Sequence, residues 1–399
     1  MTKSNQKKDK PKVLIFTNIF PSAENPNVGF YVYEQVQRLR AVYDIKIMMA
    51  KPSGGNKKKD NSKASVKVFE GIEIFEPQYV SLPKIGVFFN GYSYYRAIEK
   101  IVELIYKEFP FVLIIAYWTY PDGYAAVKIA KKFQVPVILR PRGSDINVYA
   151  DNPVLRFLLK RPLKKAYKII PVSNHLKERV LRLGINQHKI CSILNGINAK
   201  DFFVMDKNKC RQNLDLPLDH KLVLFVGNFI AIKGIEYFIE AIRVLDQPSQ
   251  QNLSFIFLGS GPLADKLQKI ARELKFISIR IIGDIAHNQL RVWMNASDLL
   301  CLPSLHEGCP NVVIESLACG LPVVASNVGG IPELINNDEL GILVPAKDER
   351  SLADAIEKGL IKKWNQDYLL NRVKNFSWDN VVEKLQKECD LAISSAKKD

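Results

Sequence analysis

The sequence predicts an α/β protein of two doubly wound domains, each built on a mainly parallel sheet. Three observations predict it. Apolar runs of strand length alternate with segments of helical spacing. The alternation restarts after residue 220, and a chain of 399 residues has room for two or three domains.

In the first half, Lys12 to Thr17 is a buried-strand run, Pro21 to Val28 is turn-rich, and Phe30 to Leu39 carries Val32, Val36 and Leu39 at helical spacing. Tyr43 to Ala50 is a second strand candidate. Lys51 to Ser65, rich in Gly, Ser and Lys, is expected to be a loop. Val112 to Ala116, Val135 to Leu139 and Lys168 to Val172 follow as further strands with helical patterns between them.

In the second half, Leu222 to Val226 is a strand ending at Gly227, and Ile235 to Leu245 is an amphipathic helix. Leu253 to Leu258 runs into Gly259-Ser260-Gly261-Pro262 and the helix Leu263 to Leu274. Ile279 to Ile282, Leu299 to Pro303 and Pro322 to Ala325 complete the strand candidates, and Ala199 to Asp219 reads as a linker. The expected domains are therefore 12–198 and 199–376, with a basic, disordered tail at 1–11 and a terminal helix at 377–399. Ligands are expected at the carboxyl ends of the strands, in a cleft between the domains.

Composition narrows the function. With 47% hydrophobic and 25% charged residues, a disordered or collagen-like chain is excluded. No apolar stretch reaches spanning length, and the polar, basic start of the chain argues against a signal peptide. The six cysteines and five histidines form no Cys-x-x-Cys pair or His-rich cluster, so reduced thiols and no metal site are expected. Charge is one-sided. Residues 1–199 hold 33 Lys and Arg against 15 Asp and Glu, whereas residues 200–399 hold 24 against 26. Such asymmetry calls for an anionic partner, and nucleic acid is disfavoured because no recognition motif accompanies it.

The chemistry concentrates between Leu302 and Gly330. A strand ends at Pro303, a loop carries Glu307-Gly308-Cys309-Pro310, and a helix is expected from Asn311 to Ala318. Pro310 suits the first helical turn, and Gly308 permits close approach of a ligand to the backbone. The helix start, at Asn311 and Val312, offers unpaired N–H groups and a positive dipole end to a diphosphate. Glu315 lies further along the same helix and could bond a ribose diol, with Glu307 reaching a sugar hydroxyl.

Glu307-x7-Glu315, with Pro303-Ser304, Gly320-x-Pro322-Val-Val and Gly329-Gly330-x-Pro332-Glu333, resembles the donor-site signature of family 4 retaining glycosyltransferases of the GT-B fold. The resemblance extends to Val226-Gly227-Asn228, Lys233-Gly234, Asn295-Ala-Ser-Asp298 and Asn195-Gly196-Ile-Asn198. Tyr120-Pro-Asp-Gly123 and Arg142-Gly-Ser-Asp-Ile-Asn147 are similar to the branch that makes teichuronic acid and other surface polysaccharides. The resemblance implies two Rossmann-like domains facing across a cleft, with the terminal helix, Ser377-Trp378 and Val381 to Ala392, crossing back to the first. It implies a UDP- or GDP-linked sugar as donor, transfer with retention, and no metal or other cofactor. Lys233 would contact the diphosphate beside Asn228, where the family usually has Arg. Glu307, Gly308, Cys309, Pro310, Asn311 and Val312 would hold sugar and phosphates, and Glu315 the ribose. Gly29 would approach the phosphates from the first domain, Asp145 would face the reacting centre, and Arg142 is a candidate for an acceptor phosphate. The imidazoles that many members carry at the positions of Arg142 and Tyr117 are absent.

Arg156, Lys160, Arg161, Lys164, Lys165 and Lys168 lie among Val154, Leu155, Phe157, Leu158, Leu159 and Leu163, a pattern suited to an anionic membrane. Pro162 is expected to interrupt this helix. Val87 to Tyr95 adds aromatic residues of the kind found at interfaces. The acceptor expected is a glycan, or one linked to polyprenyl diphosphate, with the protein cytoplasmic and peripheral on the inner face of the membrane. The competing readings are a catalytically silent scaffold, a nucleotide-sugar epimerase and a nucleic-acid-binding protein.

Overall fold

A computed structural model describes residues 9–22, 25, 28–53, 65–82 and 86–396. The expected tail at 1–11 therefore lies outside the described residues except at 9–11, as does the expected loop 51–65 over 54–64. The ends of that loop are strand.

The chain divides into two compact units. The first comprises residues up to Val172, Leu176–Ile193 and the chain from Val381 onward; the second comprises Ser173–His175 and Leu194–Asn380. The domain boundary expected after Asn198 falls inside the second unit.

The first unit contains β1 (Lys12–Thr17), β2 (Asp44–Met48), β3 (Lys51–Ser53), β4 (Ser65–Phe69), β5 (Ile72–Glu76), β6 (Gln78–Val80), β7 (Leu113–Tyr117), β8 (Val137–Leu139) and β9 (Lys168–Ile169). Seven strands form one sheet in the order β4-β5-β2-β1-β7-β8-β9, and β3 pairs with β6 separately. Only β4 runs antiparallel to its neighbour. β1 lies between β2 and β7, with Val13 opposite both Ile45 and Leu113. Helices cover both faces of such a strand, which is why β1 and β7 read as unbroken apolar runs and are buried throughout β7. β4, by contrast, is mostly exposed, and its Val-Lys-Val alternation is too short to stand out.

The helix Pro153–Lys165 buries Leu155, Leu159, Pro162 and Leu163 on one stripe and is capped by Asn152, whose side chain accepts from Val154 and Leu155 N–H. It continues through Pro162 instead of breaking there. Pro162 is on the buried stripe, and its carbonyl still accepts the Ala166 N–H at 2.9 Å. The last helix, Trp378–Ser395, joins the first unit from Val381. Its Leu385, Cys389 and Ala392 are wholly buried, Tyr43 donates to Asp390 at 2.5 Å, and Lys168 pairs with Glu388 at 3.3 Å.

The second unit contains β10 (Lys221–Val226), β11 (Leu253–Leu258), β12 (Ser278–Gly283), β13 (Leu299–Leu302), β14 (Val323–Ser326) and β15 (Gly341–Val344). They form one sheet, ordered β12-β11-β10-β13-β14-β15, with every pairing parallel. The order turns back between β10 and β13, which opens a crevice at their carboxyl ends. Phe225, Phe229, Phe238, Phe255 and Phe257 fill one face of this sheet, with Phe238 and Phe257 centred 5.2 Å apart. Each such buried ring contributes about 1.5–3 kcal/mol of burial energy. The stretch expected to be a linker is not without structure, since it holds the helix Lys207–Asn213, capped by Asp206.

Candidate active site

The site of the second unit grows from the loops that follow β10 and β13. After β10 the chain makes a single tight turn, Ala231–Lys233, and Gly234 adopts a left-handed conformation (φ 71°) to start the helix Ile235–Leu245. A Cβ on Gly234 would stand 1.9 Å from the carbonyl oxygen of Pro303, so only glycine fits against the end of β13. Leu305 N–H donates to the Ile232 carbonyl at 2.8 Å and fastens the two loops together. Held in this way, Lys233 reaches a residue 74 positions away: its Nζ is 2.6 Å from Glu307 Oε1. Ser304 Oγ donates to the same oxygen at 2.7 Å. Glu307 is 9% exposed, so its carboxylate is fixed by neighbours and not by water.

The loop after β14 packs onto this one. A Cβ on Gly329 (φ 58°) would lie 2.0 Å from the Glu307 carbonyl oxygen, which makes the contact backbone against backbone. Gly308, Cys309 and Pro310 are buried, while Asn311 and Val312 are half-buried at the start of the helix Asn311–Ala318. Pro310 is extended (φ −72°, ψ 114°) and supplies no side-chain cap. Asn195 Nδ2 donates to the Cys309 carbonyl at 3.1 Å and to Asn311 Oδ1 at 2.7 Å, fixing the turn into the helix from outside. Asn228 is exposed in the loop between β10 and Lys233.

Glu315, 7% exposed, sits one turn into that helix. Its Oε1 is 3.0 Å from His287 Nε2, and the imidazole stands edge-on to Phe202 with centroids 5.1 Å apart. His287 follows β12 in a turn with no motif around it. No local pattern marks it beyond its being one of five histidines. Ser304 and Asn195 carried such a signal, as parts of the Pro303-Ser304 and Asn195-Gly196 patterns.

In the first unit, Gly29 immediately precedes the helix Phe30–Leu39. Asp145 is almost wholly buried, and its carboxylate accepts three backbone N–H bonds: Thr119 at 2.8 Å, Gly143 at 3.0 Å and Arg142 at 3.1 Å. The side chain thus braces the loop after β8 against the loop after β7. Arg142, held by that brace, lays its guanidinium over the Tyr31 ring, 3.9 Å from the centroid, and Nη1 is buried without a hydrogen-bond partner among the described residues. Burial pushes the Tyr31 hydroxyl pKa up, and the Arg142 charge opposes that rise.

Among the described residues no group of three or more His, Cys, Asp or Glu could hold a metal ion, and no helix is long and apolar enough to cross a membrane.

Two family models match the chain: "Glycosyltransferase Family 4" over residues 28–201 and "Glycosyl transferases group 1" over residues 206–377. A provisionally named teichuronic acid biosynthesis glycosyltransferase of Bacillus subtilis is 29% identical over 360 residues, covering 87% of this chain and 88% of its own. An uncharacterised glycosyltransferase of Methanocaldococcus jannaschii is 26% identical over 308 residues, covering 75% of this chain and 81% of its own. Among solved structures, sucrose-phosphate synthase from Thermosynechococcus elongatus superposes with a TM-score of 0.78 at 20% identity, over 97% of this chain and 100% of its own. Anabaena HepE in complex with UDP-glucose superposes with a TM-score of 0.72 at 17% identity, over 95% and 99%. At such identities the superpositions speak for the fold. The two matched regions follow one another along the chain, each over an α/β sheet of the kind described, and the chain belongs to the group 1 and family 4 glycosyltransferases with the GT-B fold.

Proposed function

We propose that this glycosyltransferase moves a sugar from a nucleotide-diphosphate sugar, UDP- or GDP-linked, to a glycan or lipid-linked glycan, with retention at the anomeric carbon. The carrying observation is the cluster of Lys233, Glu307 and Ser304 at the point where the second sheet reverses its strand order, beside the start of the helix Asn311–Ala318. The ion pair uses one of three N–H donors of the Lys233 ammonium and leaves two to turn toward a diphosphate. A compact cation there offsets the charge that gathers on the leaving phosphate as the glycosidic bond breaks. The N–H groups of Asn311 and Val312 add the positive end of a helix dipole. Clamping leans on these groups because Asn228 is neutral at a position where the family resemblance usually implies Arg.

Glu307, fixed by Lys233 and Ser304, orients a hydroxyl of the donor sugar. Glu315 takes the ribose, and a diol there would compete for the oxygen that now faces His287. Attack and departure occur on the same face, with the leaving phosphate accepting the acceptor's proton. The protein supplies position and charge rather than a dedicated base, and needs no metal. Asp145 acts through the brace it forms, which presents Arg142 to an anionic acceptor group. HepE is named in complex with UDP-glucose, and the Bacillus relative for teichuronic acid biosynthesis; both favour a UDP-sugar and a surface polysaccharide.

Thermal unfolding with a panel of UDP- and GDP-sugars tests the donor assignment. At least one should raise the midpoint in proportion to the logarithm of its concentration once above its Kd. Mass spectrometry of the same mixtures should show transfer or slow hydrolysis of that donor, with the anomeric configuration kept. An unchanged midpoint across the panel refutes the assignment.

A further inference from the structure

Arg140 follows the last residue of β8, and its N–H donates to the Ala116 carbonyl on β7 at 2.8 Å. Phe16, Ala116 and Leu139 lie abreast on one face of the first sheet, which puts the Arg140 side chain beside Tyr117 on the other. The guanidinium is 5.7 Å from the centroid of the Tyr117 ring. It is 0% exposed, and Nε, Nη1 and Nη2 all lack a hydrogen-bond partner among the described residues. Stripping a cation of water is costly unless an opposite charge or a set of hydrogen bonds takes the water's place. Loss of the proton does not relieve the cost. Burial lowers the Arg140 pKa to about 10, with Tyr117 opposing the fall and Arg142 adding to it, so the group stays charged at neutral pH.

The chain's own acidic groups do not balance this charge. The titratable groups that act on it most are Tyr117, Arg142, Cys389 and Cys191. Arg142 is a second cation. Burial pushes the Tyr117 phenol up to about 12 and the Cys191 thiol up to about 11, and the Cys389 thiol rises as well, so all three are neutral at pH 7. Carboxylates on the neighbouring elements are engaged elsewhere. Glu34 pairs with Arg38 at 2.6 Å, Glu388 pairs with Lys168, Asp390 accepts from Tyr43, and Asp145 receives its three backbone amides.

We infer that the first unit holds a single monatomic anion, a halide such as chloride, against the Arg140 guanidinium. One negative charge balances one guanidinium, and a spherical ion accepts from N–H and S–H groups in whatever directions they point. The Arg140 nitrogens and the protonated, wholly buried Cys389 thiol are donors of this kind. A sulfate or phosphate would carry extra charge and several oxygens into a place where one fully buried guanidinium is the cation at hand. Arg142 Nη1, also buried and without a partner among the described residues, adds positive potential from the loop that follows. The anion neutralises Arg140 and so removes much of the repulsion that Arg142 meets in its place over Tyr31. It belongs to the interior of the first unit and does not depend on the donor assignment.

Thermal unfolding of the full chain in sodium chloride and in sodium gluconate, at equal ionic strength, is the test, gluconate being too large for a sealed site. With total salt held constant, each tenfold rise in chloride above its Kd should raise the folded-to-unfolded ratio about tenfold. Arg140→Met replaces the buried charge by an apolar side chain of similar length. It should respond equally to the two salts and should unfold at a higher temperature than the parent in gluconate. Arg272→Met, exposed on the second unit, removes the same charge and should keep the parent's chloride response. In crystals of the parent grown with bromide, an anomalous peak should lie against the Arg140 guanidinium. Ordered water, the other means of satisfying the three nitrogens, would make the salts equivalent. Equal parental midpoints in the two salts, an undiminished chloride response in Arg140→Met, or bromide found at the surface alone would each overturn the proposal.

Discussion

Lys233 and Glu307 meet at 2.6 Å although 74 residues separate them, because they sit on loops that leave two adjacent parallel strands in the same direction. The pairing is a product of sheet order, and it sets the terms of the first prediction. Lys233→Ala should leave the Glu307 carboxylate without its cation and remove the charge offered to the donor. We expect kcat/KM to fall by about 10²–10³, the range for losing a preorganised electrostatic contact. Lys233→Arg should restore little, since a planar fork does not fit where a compact ammonium does. Steady-state kinetics on both variants decides this, and parental activity in Lys233→Ala would remove Lys233 from the mechanism.

Gly234→Ala should damage the same cluster from the backbone. The residue sits at φ 71°, and its new methyl would collide with the Pro303 carbonyl. A left-handed alanine costs about 1–3 kcal/mol before the collision is counted. A lowered unfolding midpoint together with weaker donor binding is the expected pair of results.

His287→Ala should separate nucleotide binding from acceptor binding. If the imidazole positions Glu315 for a ribose, affinity for UDP or GDP falls in that variant while the affinity of the acceptor holds. Titration calorimetry with the free nucleotide and with acceptor measures the two apart.

Asp145→Ala should be costly to the fold. Three backbone amides, those of Thr119, Arg142 and Gly143, would lose their acceptor in a buried place. At about 1–3 kcal/mol for each amide left unsatisfied, several kcal/mol should disappear from denaturant unfolding of the first unit. Asp145→Asn keeps one carboxyl-type oxygen and should lose less.

Asp122 gives a prediction in pH. Its carboxyl is fully buried, neither oxygen has a hydrogen-bond partner among the described residues, and burial pushes its pKa well above the ordinary value, with Asp145 adding to the rise. Tyr79, Tyr94 and Tyr149 also face it. Above the unfolded pKa, near 4, the folded chain holds a proton that the unfolded chain has released. Stability from this group is therefore complete below about pH 4 and declines as pH rises toward the folded pKa. Asp122→Asn should flatten that decline, so that its gain over the parent is larger at pH 8 than at pH 5, as followed by urea unfolding.

Much of the fold was legible because its strands are buried on both faces. The runs 12–17 and 253–258 and the helices 30–39, 235–245 and 311–318 coincide with what hydrophobic period alone marks out. β3, β4, β5, β6 and β15 carry no sequence expectation of a strand. β4 is mostly exposed and β3 and β6 are partly so, and their solvent-facing residues dilute the apolar signal that the buried β8 keeps in three residues. Pro162 misled in the other direction: a proline on the buried stripe costs one hydrogen bond, and packing of Leu159 and Leu163 outweighs it. At the site, Glu307 and Glu315 were visible through their spacing around a helix start. His287 was not, since a contact between the turn after β12 and a distant helix leaves no local pattern. The fixed state of Asp145 was equally hidden, because a carboxylate that receives three amides has the same letter as one that faces a substrate.

The first unit is assembled from both ends of the chain, with Leu385, Cys389 and Ala392 in its interior and Asp390 holding Tyr43. Ribosomal synthesis runs in one direction, so the amino-terminal sheet, whose strands are all made by Ile169, must wait without its last helix while some two hundred later residues emerge. The second unit, whose sheet runs from β10 to β15, is complete by Asn380, before that helix appears. The unit that is begun first is then the last to be sealed, and a nascent chain stalled before Val381 would expose an open seam to chaperones and proteases.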